Sequence, residues 1–228
     1  MLFEVDLIKF LNNKGFPCPA IFESKSAQFV GLYKEKPIMI FEFVEGEHLK
    51  NPTKDQRKQL IQRVAELQTV TVDFNSIYTE YRWNYSVGLC KNLARNEAKK
   101  LGTENAKQKL KWLENELTEI TLPESLPKGI CHCDFHFSNV LFKDGKFKAL
   151  IDFDDANYTY LTFDLVSLIN PFIPSFDWET WLDFGKDENV FDFMESRQTV
   201  SEYIKYRALG EIEKRYLFDV FKLSVLFD

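Results

Sequence analysis

The sequence predicts an α+β fold, and three observations predict it. Long blocks carry apolar residues at helical spacing; the strand-like runs fall in hairpin pairs; and several helices, not single crossovers, separate one pair from the next. An alternating βαβ arrangement would need strand and helix to take turns, and they do not.

The elements follow in order. From Phe3 to Asn13, Leu7, Ile8, Phe10 and Leu11 share a helical face, and Gly15 supplies the stop. Phe16 to Ile21, with Pro17 and Pro19, reads as an extended connector. Gln28–Tyr33 and Pro37–Val44 flank Lys34-Glu35-Lys36 as a β-hairpin, its second strand apolar on both faces up to Glu42 and therefore expected to be buried. Glu45-Gly46-Glu47 ends it, which places a boundary between a unit 1–46 and a unit 47–228. Thr53 with Gln56 has the spacing of a capping box, opening a helix through Leu60, Ile61, Val64, Ala65 and Leu67. Further helices are expected from about Asn84 to Leu101 and from Thr103 to Ile120, closed by Pro123 and Pro127. The period then changes: Gly129–Cys131 and Val140–Phe142 are strand-like, and Phe147–Ile151 returns as a hairpin partner across Asp144-Gly145. From Thr162 the pattern is helical to the end.

With 228 residues, 45% hydrophobic and 28% charged, the chain can bury a sizeable core. Its 29 basic against 35 acidic side chains give a net charge of −6, which speaks against a nucleic-acid partner and mildly favours cationic ligands. No apolar run reaches membrane-spanning length, and acids stand where a signal peptide would be basic, so a cytoplasmic protein without a membrane partner is expected. The glycines form no phosphate-cradling motif.

Chemistry-bearing residues concentrate in Cys131–Asp155. Asp134 and Asn139 stand five apart on a polar loop before a strand, and Asp152 ends the partner strand. A hairpin would bring these three oxygen donors to one end of a small sheet. Such a set suits a hard cation, Mg²⁺ above all, and leaves one carboxylate to orient or deprotonate an attacking hydroxyl. Zinc at Cys131, His132, Cys133 and His136 is disfavoured, because alternation along a strand turns successive side chains to opposite faces. His132 is expected to brace the loop by hydrogen bonds.

His132-Cys133-Asp134-Phe135-His136-Phe137-Ser138-Asn139, followed by Ile151-Asp152-Phe153-Asp154, resembles the H-x-D-x-x-x-x-N and I-D-F motifs of the aminoglycoside phosphotransferase and choline kinase superfamily. Gly15–Pro19, Phe41–Gly46 and Asp164-Leu165 resemble its type II homoserine kinase-like branch. The resemblance implies a protein-kinase-like fold, here a partial N-terminal lobe and a largely helical C-terminal one. It implies Mg²⁺-dependent transfer of phosphate from ATP to the hydroxyl of a small, amine-containing acceptor: homoserine-like amino alcohols first, aminoglycoside- or choline-type amines behind. Asp134 would be the catalytic aspartate. Asn139 and Asp152 would hold the metal, with Asp154 assisting a second ion. The backbone of Glu42, Phe43 and Val44 would meet the adenine, and His132 and Asp164 would support the loop. Asp155, Trp178 and Trp181 are candidate acceptor contacts, the tryptophans through cation–π attraction.

Family members carry a phosphate-covering hairpin and a lysine strand ahead of the helix with which this sequence opens. Glu4 matches the glutamate that pairs with that lysine. The expectation is therefore weak Mg·ATP binding by these residues alone, and an inactive binding module of the same fold is the rival reading.

Overall fold

A computed structural model describes residues 1–169 and 193–227. Helix α1 (Leu2–Asn13) buries Phe3, Leu7, Ile8 and Leu11 along one face. It ends with the Phe16 N–H reaching back to the Leu11 carbonyl at 2.9 Å. Strands β1 (Gly31–Tyr33) and β2 (Lys36–Ile38) form a two-stranded antiparallel hairpin. Its second strand is shorter and more open than the sequence predicts. Every residue of β2 is exposed, as are Ile40, Phe41 and Phe43. The reason is pairing: residues 40–42 leave the hairpin to bond residues 20–22, with Phe22 N–H to Ile40 O and Glu42 N–H to Ala20 O. Among the described residues no third strand covers either face of the hairpin.

Helix α2 (Lys54–Val70) starts with the capping box as read: Gln56 N–H donates to Thr53 Oγ1, and Thr53 N–H donates to Gln56 Oε1 at 2.8 Å. Helix α3 (Val87–Leu101) starts three residues later than expected, because Ser86 caps it while Asn84 is engaged elsewhere. Helix α4 (Glu104–Thr118) follows from a Thr103 cap. Strand β3 (Lys128–Cys131) pairs antiparallel with β6 (Asn157–Tyr160), a strand not anticipated from the sequence. Strands β4 (Val140–Lys143) and β5 (Lys146–Leu150) form the expected hairpin, with Asp144 and Gly145 both at positive φ in the turn. Helices α5 (Thr162–Ile169), α6 (Phe193–Tyr203) and α7 (Glu211–Phe227) complete the described chain.

Alternation along β3 divides the interior. Ile130 joins one apolar cluster with α1, α2, β4 and β5, while Cys131 joins another with α3, α4 and α7. Helix α5 serves both, sending Leu165 to the first and Phe163 and Val166 to the second. The segment that leaves β3 is thus rooted between two packed cores. α1 shares the first core with α2 and the β4–β5 hairpin, so a continuous apolar contact joins residues 1–46 to the rest.

Candidate active site

The loop after β3 is held from beneath. Asp164, fully buried on α5, accepts the N–H of His132 at 2.9 Å on one oxygen and that of Cys133 at 2.8 Å on the other. These bonds support a turn in which Cys133 adopts φ +66°, a conformation L-residues seldom take. Burial pushes the Asp164 carboxyl up to about 7, and the two amide donors act against that rise. His132 lies buried between the rings of Phe135 and Phe153, each 5.0 Å away. Its Nδ1 accepts the Asp134 N–H at 3.3 Å, so Nε2 carries the proton and donates to the Ile151 carbonyl at 3.0 Å. Burial lowers its pKa to about 4, which keeps the ring neutral. His132 therefore ties the Asp134 loop to the end of the β4–β5 hairpin.

Asp134 is exposed, and Asn139 sits buried at the foot of β4, after a 3₁₀ turn over Phe137–Asn139 capped by His136. Nδ2 of Asn139 donates to the Asp134 carbonyl at 3.0 Å and to its carboxylate at 2.5 Å. The Ile151 N–H donates to the Asn139 carbonyl at 2.9 Å, which delivers Asp152 beside both. Asp152 stands at φ +64° and its carboxyl meets that of Asp154. Its pKa rises to about 6, first through burial, then through Asp154, Asp134 and Asp155. Burial and the charges of Asp154 and Asp134 also raise Asp155, against the pull of Arg82. Asp134, Asn139, Asp152, Asp154 and Asp155 thus gather in one place.

This donor set fits a hard divalent cation. Asn139 turns both amide hydrogens to Asp134, and its Oδ1 takes no hydrogen bond from any described residue. Burial first, and then the neighbouring carboxylates, raise Asp152. Among the described residues no three His, Cys, Asp or Glu side chains stand close enough together to hold a metal ion by themselves. An ion that keeps water and phosphate oxygens in its shell needs no such trio.

The linker after the β1–β2 hairpin runs along β4. Glu47 and Phe142 exchange both backbone hydrogen bonds at 2.8 and 2.9 Å, and His48 Nδ1 contacts the Val140 carbonyl at 3.1 Å. Gly46 allows the close approach there, since a Cβ would stand 3.0 Å from Leu141 Cβ and 3.1 Å from the Phe142 carbonyl oxygen. Of the expected adenine contacts, the Glu42 N–H is spent on Ala20. The Glu42 carbonyl and the Phe43 and Val44 backbone groups have no partner among the described residues. Trp178 and Trp181 lie outside the described residues.

Comparison with known proteins decides the family. The phosphotransferase enzyme family model matches residues 1–193, most of the chain. The protein belongs to that family. The homoserine kinase of Methylobacterium radiotolerans is 28% identical over 169 residues, covering 74% of this chain and 52% of that protein. The homoserine kinase of Bartonella henselae is 25% identical over 219 residues, covering 92% and 62%. The chain thus spans about half to three-fifths of the length of these curated relatives. An amicoumacin kinase solved with AMP-PNP, Ca²⁺ and amicoumacin superposes with TM-score 0.67 at 17% identity, over 99% of this chain and 67% of that one. A microcompartment-associated aminopropanol kinase superposes at 0.57 with 18% identity, over 98% and 71%. The fold is the protein-kinase-like one of small-molecule phosphotransferases.

Sequence reasoning missed two residues around this site. Gln68 on α2 donates to the Leu161 carbonyl at 2.6 Å, accepts the Tyr203 hydroxyl, and helps to offset the rise of the Asp164 carboxyl. Arg82 holds the acidic loop from outside. Its signal was the alternation in Tyr81-Arg82-Trp83-Asn84, where the aromatic residues are exposed and the polar ones turn inward.

Proposed function

We propose that this family member transfers the terminal phosphoryl group of ATP to the hydroxyl of a small amino alcohol, with Mg²⁺ as cofactor and homoserine-like acceptors favoured. The gathering of Asp134, Asn139 and Asp152 at the feet of β3, β4 and β5 carries the proposal. In this reading the Asp134 carboxylate, aimed by its bond from Asn139 Nδ2, orients the acceptor hydroxyl and takes its proton as the new O–P bond forms, while the bond from the γ-phosphorus to the β,γ-bridging oxygen breaks and ADP leaves. Asn139 Oδ1 and the Asp152 carboxylate would hold Mg²⁺, with Asp154 serving a second ion, and the metal would supply neutralisation of the charge that develops on the phosphates. The Glu42 carbonyl and Val44 N–H are the acceptor–donor pair for an adenine edge, with Phe43 between them. His132 and Asp164 fix the loop without touching the reactants.

The acceptor preference has two supports. The curated relatives named above are homoserine kinases, and the site presents Asp155 to solvent beside the reacting carboxylates, which favours an ammonium group over an anion. The test is coupled-assay turnover of ATP with Mg²⁺ across homoserine, choline and an aminoglycoside. Homoserine is expected to give the highest kcat/KM. Asp134→Asn should lower kcat by about 10³-fold or more while leaving nucleotide binding intact, and Asp152→Ala should abolish metal-dependent nucleotide binding. Metal-dependent nucleotide binding that survives Asp152→Ala unchanged would overturn the site assignment. Preference for another acceptor would overturn only the substrate class.

A further inference from the structure

The polypeptide around Asp152 poses a positioning problem. A non-glycine residue at φ +64° persists only where its surroundings over-determine it. On its N-terminal side the anchor is the Ile151 N–H to the Asn139 carbonyl. On its C-terminal side Phe153–Ala156 closes a turn, with the Ala156 N–H on the Phe153 carbonyl at 3.1 Å. That turn is gripped by one side chain from a segment more than 70 residues earlier. Arg82 donates from Nε to the Ala156 carbonyl at 2.9 Å and from Nη2 to the Asp154 carbonyl.

The grip is part of a longer seam. Asn84 Oδ1 accepts the Tyr158 N–H at 3.1 Å, and the Tyr85 carbonyl accepts the Thr159 hydroxyl at 2.8 Å. Residues 82–85 therefore run beside 154–159 as an irregular edge. The Arg82 guanidinium also lies 5.3 Å from the Phe3 ring on α1 and faces Glu4, which is 6% exposed. Through this one side chain α1, the α2–α3 connection and the acidic loop are held together.

We propose that Arg82 is a positioning residue for the metal site: its two-pronged hold on the Asp154 and Ala156 carbonyls keeps Asp152 in its left-handed conformation at the end of the β4–β5 hairpin, next to the strand end that carries Asn139. The inference rests on the phosphotransferase reading of the site. A competing role is purely electrostatic, and the two differ in sign. A cation removed from beside an acidic cluster should strengthen divalent-ion binding, whereas a lost clamp should weaken it. Geometry favours the clamp, since both donors are spent on backbone carbonyls rather than on carboxylates. The Arg82 charge does reach Asp155 across the same loop, so the direction of the change in metal affinity is what separates the two roles.

The test is Mn²⁺ binding, followed by electron paramagnetic resonance, to the parent protein, Arg82→Ala and Arg82→Lys in the presence of AMP-PNP. Nucleotide binding in EDTA is measured alongside. Arg82→Ala is expected to bind Mn²⁺ about tenfold or more weakly, with metal-free nucleotide affinity within twofold of the parent. Arg82→Lys, keeping the charge but only one usable prong, is expected to recover only part of the loss. Unchanged or tighter Mn²⁺ binding by Arg82→Ala overturns the inference. If that variant does not fold, Arg82→Lys decides in the same way, parent-like Mn²⁺ affinity counting against the clamp. A parent protein that binds no Mn²⁺ with AMP-PNP refutes the phosphotransferase reading itself, and this inference with it.

Discussion

Replacing Asp164 by alanine removes the support beneath the loop, and the structure sets the size of the loss. Two backbone donors, the N–H groups of His132 and Cys133, lose their acceptors at 2.9 and 2.8 Å inside the protein. A buried donor left unsatisfied costs about 1–3 kcal/mol. Two of them, together with the loss of support for a Cys133 conformation at φ +66°, give roughly 3–5 kcal/mol. For a chain of this length each kcal/mol moves the midpoint by about 2–4 °C, so a drop of roughly 6–20 °C is expected. Calorimetry and urea titration of Asp164→Ala and Asp164→Asn measure it. Asn keeps one acceptor oxygen but turns an NH₂ toward the second donor, so it should fall between parent and Ala. Asp134→Ala is the contrasting control, because an exposed carboxylate should cost under about 1 kcal/mol. A loss below about 1 kcal/mol for Asp164→Ala would refute the claim that this carboxylate carries the loop.

Further predictions concern acid stability and the linker. The His132 pKa is depressed from its ordinary 6.5 to about 4, so its contribution to stability is full above pH 6.5 and is lost as pH falls toward 4. That window is worth about 3 kcal/mol. Asp164, raised to about 7, acts in the opposite sense, so the readout is the difference between parent and His132→Gln. The parent should lose about 3 kcal/mol more than the variant between pH 7 and pH 4 in urea titrations, and parallel curves would contradict a neutral buried imidazole. Gly46→Ala should cost about 1–3 kcal/mol through overpacking against Leu141 and the Phe142 carbonyl. Faster hydrogen exchange of the Phe142 amide is the local signature, and parent-like exchange would show that the linker does not depend on that close approach.

What could be read from the sequence was set by local chemistry. The Thr53–Gln56 cap and the Asp144-Gly145 turn are written within four residues, and both formed as expected. The motif spacing around Asp134 and Asn139 was equally legible, because a five-residue step over one 3₁₀ turn is enough to bring the two side chains together. β6 was not legible: Asn157–Tyr160 becomes a strand only by pairing with Lys128–Cys131, which lies well upstream. The same holds for the start of α3, where Asn84 is drawn to the Tyr158 amide and leaves Ser86 to cap. The open face of β2 escaped for the converse reason. An apolar run signals burial only if something packs on it, and among the described residues nothing does.

One motif contains two classes of residue that sequence spacing cannot separate. Asp134, Asp152, Asp154 and Asp155 are exposed, whereas His132, Asn139 and Asp164 are buried and make hydrogen bonds to the backbone or to Asp134, Asn139 through its Nδ2 alone. Burial therefore assigns the cost of substitution. Changes in the exposed group alter charge at the site while leaving the two cores intact, so they should lower turnover or metal binding with little effect on the melting temperature. Changes in the buried group orphan backbone donors or open space in a packed interior, so stability should fall first and activity with it. Arg82 stands between the classes, half-buried with its donors on backbone carbonyls, and for that reason its effect should appear in metal affinity before it appears in stability.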